Sequence, residues 1–163
     1  MLPKFISLVI WGNDHQSVAD IIENAEQGFY MYQPGSSTVT SLNETEVDPK
    51  HVGILEITFG EFVFKPVFLE RSRPLIYKSI DLKEYFDPEN QRIYHSRDEE
   101  GKEAIVVKKL EAEIDDLIKK FFLGRKDKTL LPLVRVKVEY TGFDIVRVRT
   151  IEAKYQGKVA NEG

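Results

Sequence analysis

The first apolar stretch, Phe5-Ile6-Ser7-Leu8-Val9-Ile10-Trp11, is nearly continuous and rich in β-branched residues. That is the pattern of a strand covered on both faces inside a layered domain. It stops at Gly12-Asn13-Asp14-His15, a turn at a strand's carboxyl end, where open α/β sheets place their ligands. Gly28 to Gln33 reads as a second strand, broken by Pro34-Gly35-Ser36-Ser37. His51 to Thr58 and Phe62 to Leu69 predict a hairpin about Gly60, with Pro66 making its second arm an edge or a bulged strand. Arg73-Pro74 marks a junction, placed near residue 71, because proline forces the residue before it into an extended conformation.

Leu75 to Leu82 alternates as a strand, and the polar, Pro88-containing stretch Lys83 to Asp98 reads as a surface loop. Glu103 to Phe122 is the clearest helix. Val107, Leu110, Ile114, Leu117, Ile118 and Phe121 recur at three- and four-residue steps, Lys119 and Lys120 suit the negative end of the dipole, and Gly124 supplies a terminator. Ser96-Arg97-Asp98-Glu99 has the form of a capping box ahead of it. Leu133 to Tyr140 sets Val134, Val136 and Val138 against Arg135, Lys137 and Glu139, and Ile145 to Ile151 repeats the device with Val146 and Val148 against Arg147 and Arg149. Two half-buried strands are expected.

Composition narrows the class. The 163 residues are 42% hydrophobic with a formal charge of −4, which is ordinary globular composition. No cysteine is present, so disulfide scaffolds and thiolate zinc sites are excluded. No window reaches the roughly 18 uncharged apolar residues of a membrane span, and Met1-Leu2-Pro3-Lys4 does not begin a signal peptide, which gives the expectation of a soluble, intracellular chain. Residues 1–70 hold three bases against ten acids and residues 71–163 hold 20 against 17, so the halves differ in sign. A polyanion or a metal is one meaning of such a split; chance is the other.

Two clusters carry candidate chemistry. His15, with Asp14 and Asn13, offers an imidazole, a carboxylate and an amide oxygen, a set suited to manganese, iron or zinc; the alternative is a surface turn without a ligand. Arg135, Lys137, Arg147 and Arg149 would form one cationic face if their strands pair, extended by Arg125, Lys126 and Lys128. Such faces bind phosphate backbones, although a solvated sheet surface balanced by Glu139, Asp144 and Glu152 accounts for the same residues. His51 and His95 read as structural.

Longer strings say more. Leu8-Val9-Ile10-Trp11-Gly12, Gln33-Pro34-Gly35-Ser36-Ser37 with Thr40-Ser41-Leu42, Pro49-Lys50-His51-Val52, Arg73-Pro74, Leu131 to Val138 with Tyr140-Thr141-Gly142, and Gly157-Lys158-Val159-Ala160-Asn161 follow one another along nearly the whole chain. In order and spacing they resemble the eukaryotic Mre-eleven (meiotic recombination eleven) family of double-strand-break repair nucleases. The resemblance implies an α+β fold: the end of a calcineurin-like metallophosphoesterase β-sandwich over residues 1–70, then a small mixed α/β capping, DNA-binding domain over 71–163. It also implies manganese, DNA, a homodimer, an SMC-like ATPase and a third subunit as partners in the full-length family, and a nuclear location.

The family's other metal-binding motifs are absent from these residues. Where the family has Gly-His-Glu-His-Glu, this chain has Gly12-Asn13-Asp14-His15-Gln16, so His15 matches a ligand position and Asn13 replaces one with a weaker donor. Two-metal hydrolysis needs two ions clamped about 3.5 to 4 Å apart, which a single ligand cannot do. Two functions are therefore expected as alternatives: a fragment or truncated homologue of the manganese-dependent exo/endonuclease subunit that contributes DNA binding and is inactive alone, or a non-catalytic DNA- or partner-binding protein with a degenerate metal motif. An unrelated small-molecule phosphoesterase leaves the later strings unexplained.

Overall fold

The computed structural model describes residues 2–86, 88–123, 125, 127–143 and 148–161. It is a mixed α+β arrangement of small sheets and helices that divides into two compact units, Met1–Leu75 and Ile76–Gly163.

In the first unit β1 (Leu8–Ile10), β2 (Val18–Asn24) and β3 (Phe29–Gln33) form a sheet in the order β1-β3-β2. β1 runs parallel to β3 with Leu8 opposite Tyr30, and β2 runs antiparallel to it with an irregularity between Val18 and Ile22. The expectation of a long first strand covered on both faces fails here. β1 is three residues at a sheet edge, and Phe5, Ile10 and Trp11 are exposed, so continuous hydrophobicity marked an edge with little covering it. β2 had no counterpart in the reading of the sequence, because Val18-Ala19-Asp20-Ile21-Ile22 lacks strict alternation.

The hairpin forms as its turn chemistry dictates. β4 (His51–Thr58) pairs antiparallel with β5 (Glu61–Phe68), and Phe59 and Gly60 both take positive φ, 51° and 87°, as a tight turn matched to strand twist requires. Pro66, opposite Gly53, lies in a two-stranded sheet where every strand is an edge. Tyr32 of β3 lies 4.4 Å from Phe64 of β5 and Tyr30 lies 5.4 Å from Phe62, ring centre to ring centre. These aromatic contacts join the hairpin to the first sheet.

The second unit has a contiguous apolar core. β6 (Leu75–Asp81) pairs with β7 (Leu133–Glu139), and α3 (Glu99–Phe122) contributes Val106, Leu110 and Ile114 to a cluster with Ile80, Leu82, Phe86 and Tyr94. The helix starts four residues earlier than expected, and its cap is Asp98, whose carboxylate accepts the Gly101 amide at 3.0 Å, rather than Ser96. Its expected terminator Gly124 lies outside the described residues.

Two further expectations are corrected. Lys83 to Asp98 is not a loop: it contains α1 (Leu82–Tyr85), capped by Asp81, and α2 (Pro88–His95), in which Pro88 occupies the first turn where its missing N–H costs nothing. Phe86 and Tyr94 are buried by these turns. Of the strand expected over Ile145 to Ile151, residues 145–147 lie outside the described residues, and the rest is helix. Residues Val148–Lys154 are helical (α4), and Ile151, Tyr155 and Val159, at four-residue steps, enter the core. Ile151 does so from α4, and Tyr155 and Val159 from the turns beyond the helix's end, so burial outweighed a short alternation of valine and arginine. The chain's last described residue, Asn161, braces the start of β7, its amide donating to Val134 O and accepting from Val134 N, each at 2.9 Å.

Candidate functional site

The His15 turn is built by its neighbours. β1 delivers the chain to Trp11, whose amide donates to Tyr32 O at 2.7 Å. Asn13 then takes a left-handed φ of 67°, a conformation that asparagine tolerates better than most residues. Asp14 Oδ1 accepts the Gln16 amide at 3.0 Å and closes the turn.

The Gln33–Ser37 loop clamps it from the other side. Gln33 Nε2 donates to Gln16 O at 3.2 Å and the Ser36 amide to His15 O at 3.4 Å. Gly35 has φ of 67°, and a Cβ there would fall 2.5 Å from Gln16 O, so only glycine permits this approach.

Beneath the turn lies a buried ion pair. Glu46 is 1% exposed and Lys50 4%, and their charges meet at 3.3 Å. Glu46 Oε1 accepts from the Ser41 amide and hydroxyl at 2.7 Å each and from Thr40 Oγ1 at 2.9 Å; Oε2 accepts from Ser36 Oγ at 2.9 Å and the Thr40 amide at 3.0 Å. Burial alone would raise this carboxyl, but the hydrogen bonds from Ser41, Thr40 and Ser36 outweigh it and hold Glu46 well below the usual carboxylate range. Lys50 Nζ also donates to Ser36 Oγ at 3.3 Å and His15 O at 3.4 Å. The network thus reaches the backbone of the turn.

His15 stands on this platform with its side chain 56% exposed, and its Nδ1 lies 2.9 Å from Thr40 Oγ1. Trp11, Gly12, Asn13, Asp14, His15 and Thr45 line a cleft of about 380 Å³, so Asn13 and His15 share one surface. The donor set does not fit a metal centre by itself: one imidazole, one amide oxygen and the Asp14 carboxylate, whose Oδ1 already takes the Gln16 amide, fall short of the ligands a divalent ion takes, and among the described residues no group of three or more His, Cys, Asp or Glu is placed to hold an ion. His51 is buried and structural, with Nδ1 2.7 Å from Ser17 Oγ; His95 ends α2 and stacks beside Phe143.

The cationic residues are brought together only in part. Arg135 and Lys137 are exposed on one face of β7, two residues apart. Arg125 is exposed, its guanidinium 4.0 Å from the centre of the Phe121 ring. Lys126 and Arg147 lie outside the described residues, as does the side chain of Arg149, whose backbone belongs to α4 and not to a strand beside Arg135. Glu139, next on the Arg135 face, is held below the usual carboxylate range by hydrogen bonds from Thr141, then by Lys137 and Lys83, so it stays ionised and tempers the face.

Glu46, Lys50, Thr40 and Ser36 were not assigned roles from sequence. Their one signal was membership of, or closeness to, the Gln33–Ser37, Thr40–Leu42 and Pro49–Val52 strings, which the fold gathers around a single carboxylate.

The fold and the two clusters define a class: an α+β protein with an imidazole-bearing turn in its first unit and an exposed cationic strand in its second. The family model described as the Mre11 DNA-binding presumed domain matches residues 62–163, and the chain belongs to the Mre11 family. It is 36% identical to the double-strand break repair protein MRE11 of Oryza sativa subsp. indica, 35% to that of Arabidopsis thaliana and 32% to that of Homo sapiens. Each alignment covers 98% of this chain. It covers 22%, 21% and 22% of those relatives respectively, so the chain spans about a fifth of their length.

Proposed function

We propose that this chain serves double-strand-break repair as a segment of the nuclease subunit. In this reading residues 71–163 are a capping domain that grips the DNA backbone, and residues 1–70 are the end of a calcineurin-like metallophosphoesterase sandwich. His15 supplies one nitrogen to a manganese centre whose other ligands belong to the rest of the longer protein, where a homodimer, an SMC-like ATPase and a third subunit are its partners in the nucleus. Manganese, when bound there, would activate water for phosphodiester hydrolysis. This chain's residues hold the turn and the imbalance of ligands leaves it inactive alone.

The observation that carries the reading is the match of a DNA-binding family over residues 62–163, within which Arg135 and Lys137 lie exposed on one face of β7. Binding is expected to be weak and independent of sequence, with affinity falling steeply as salt rises. Fluorescence anisotropy of labelled duplex DNA tests it. The double variant R135E/K137E should flatten the slope of log K against log salt by roughly two, about one per lost phosphate contact. Unchanged binding and slope would move the interface elsewhere.

Asn13 favours a second reading, a DNA or partner binder whose metal motif has degenerated, because an amide oxygen stands where the family has imidazole. The readings part in the longer protein: the first predicts manganese-dependent cleavage there and the second none.

A further inference from the structure

We propose that the outer edge of β7 takes an extended peptide bearing acidic residues at two alternating positions, added to the sheet as a further strand.

One side chain already uses that edge as a strand would. Val134 gives both its main-chain groups to the Asn161 amide, at 2.9 Å each, and the Ala160 amide donates to Pro132 O at 2.8 Å. The N–H and C=O of a strand residue point to the same side, and the side alternates along the strand. Val134 therefore faces away from β6, and Val136 and Val138 face away with it. β6 and β7 make a two-stranded sheet, and beyond Val134 this edge meets no main-chain partner among the described residues. Each of the two valines holds one donor and one acceptor open. Such a row is a template for strand addition, in which main-chain bonds give affinity and alternate side chains give choice.

Charge selects the occupant. Arg135 and Lys137 flank Val136 on the exposed face of β7, while Val136 and Val138 pack toward the core. An added strand sets its own alternating side chains beside Arg135 and Lys137, where acids are favoured and bases are not. Glu139 comes next on that face and is ionised, so a third acid is disfavoured. A second copy of the chain fits poorly, because pairing about Val136 would put Arg135 opposite Lys137. The peptide uses the edge of the strand through its main chain, and the proposal does not depend on DNA binding.

The probe is the blocked peptide acetyl-Thr-Glu-Val-Glu-Thr-amide, whose side chains read alike in either direction. Titrated into the ¹⁵N-labelled intact chain without DNA, it should move the Val136 and Val138 amide signals most and slow their exchange with solvent. The Arg135 and Lys137 amides, which point to β6, should move less. N-methylation of the central valine removes a donor from the added strand and should abolish binding. Replacing both glutamates by lysine, or titrating R135E/K137E with the glutamate peptide, should weaken it about tenfold. Both altered peptides are tested on the native chain, so they decide even if R135E/K137E does not fold. Equal binding by either altered peptide, or shifts centred away from Val136 and Val138, overturns the proposal. So does concentration-dependent movement of those two amides in the chain alone, which would assign the edge to a second copy.

Discussion

Lys50 and Glu46 make the sharpest residue-level case, because each is buried with the other as its charge partner. Lys50→Met leaves a buried carboxylate without its counter-charge, and the expected cost is about 3 to 5 kcal/mol in a denaturant titration that follows the first unit. The pH dependence has a definite sign. Glu46 is depressed below its ordinary value of 4.5, so its contribution is complete above that value and is lost as pH falls from there toward the lower folded value. Melting temperature measured from pH 7 to pH 3 should decline, and E46Q should remove that part of the decline. None of this was legible in sequence. An acid and a lysine four residues apart in a polar loop have the composition of a solvated surface, and only tertiary burial distinguishes them. The turn that carries His15, by contrast, was legible, because a turn after an apolar run is a local feature.

At the scale of elements, α3 and α4 can be tested separately. Asp98→Ala removes the cap on α3 and should cost about 1 kcal/mol. Ile151→Ala removes a core side chain of α4 and should cost about 3 kcal/mol; a negligible loss would mean that residues 148–154 do not dock as a helix. Strong periodicity was readable: α3, β7 and the β4–β5 hairpin follow from apolar spacing and a Phe59-Gly60 turn. Weak periodicity misled. Val146, Arg147, Val148 and Arg149 alternate, yet the partners that decide the element, Tyr155 and Val159, lie beyond that window. Pro88 had the look of a breaker and is a helix start, because the same missing N–H suits both positions.

Across the whole molecule the two units differ in how well they cover themselves. The second has a contiguous core from Ile80 to Val159, whereas in the first β4 is exposed along all but His51, and Ile57 is 68% and Val63 65% exposed. Apolar surface on this scale binds hydrophobic dyes and leaves backbone hydrogen bonds open to solvent. The chain should therefore bind 8-anilinonaphthalene-1-sulfonate under native conditions, and hydrogen exchange should be faster in β4 and β5 than in α3. Protection of the hairpin equal to that of α3 would contradict this.

DNA affinity measured on the intact chain in EDTA, and again in manganese at matched ionic strength, probes the division of labour most directly. The proposed reading, in which Arg135 and Lys137 contact phosphates and the His15 turn lacks most of the ligands of a metal centre, predicts the same Kd in both conditions and uncut duplex after prolonged incubation. Binding that tightens with manganese, or duplex that is cleaved, would contradict it.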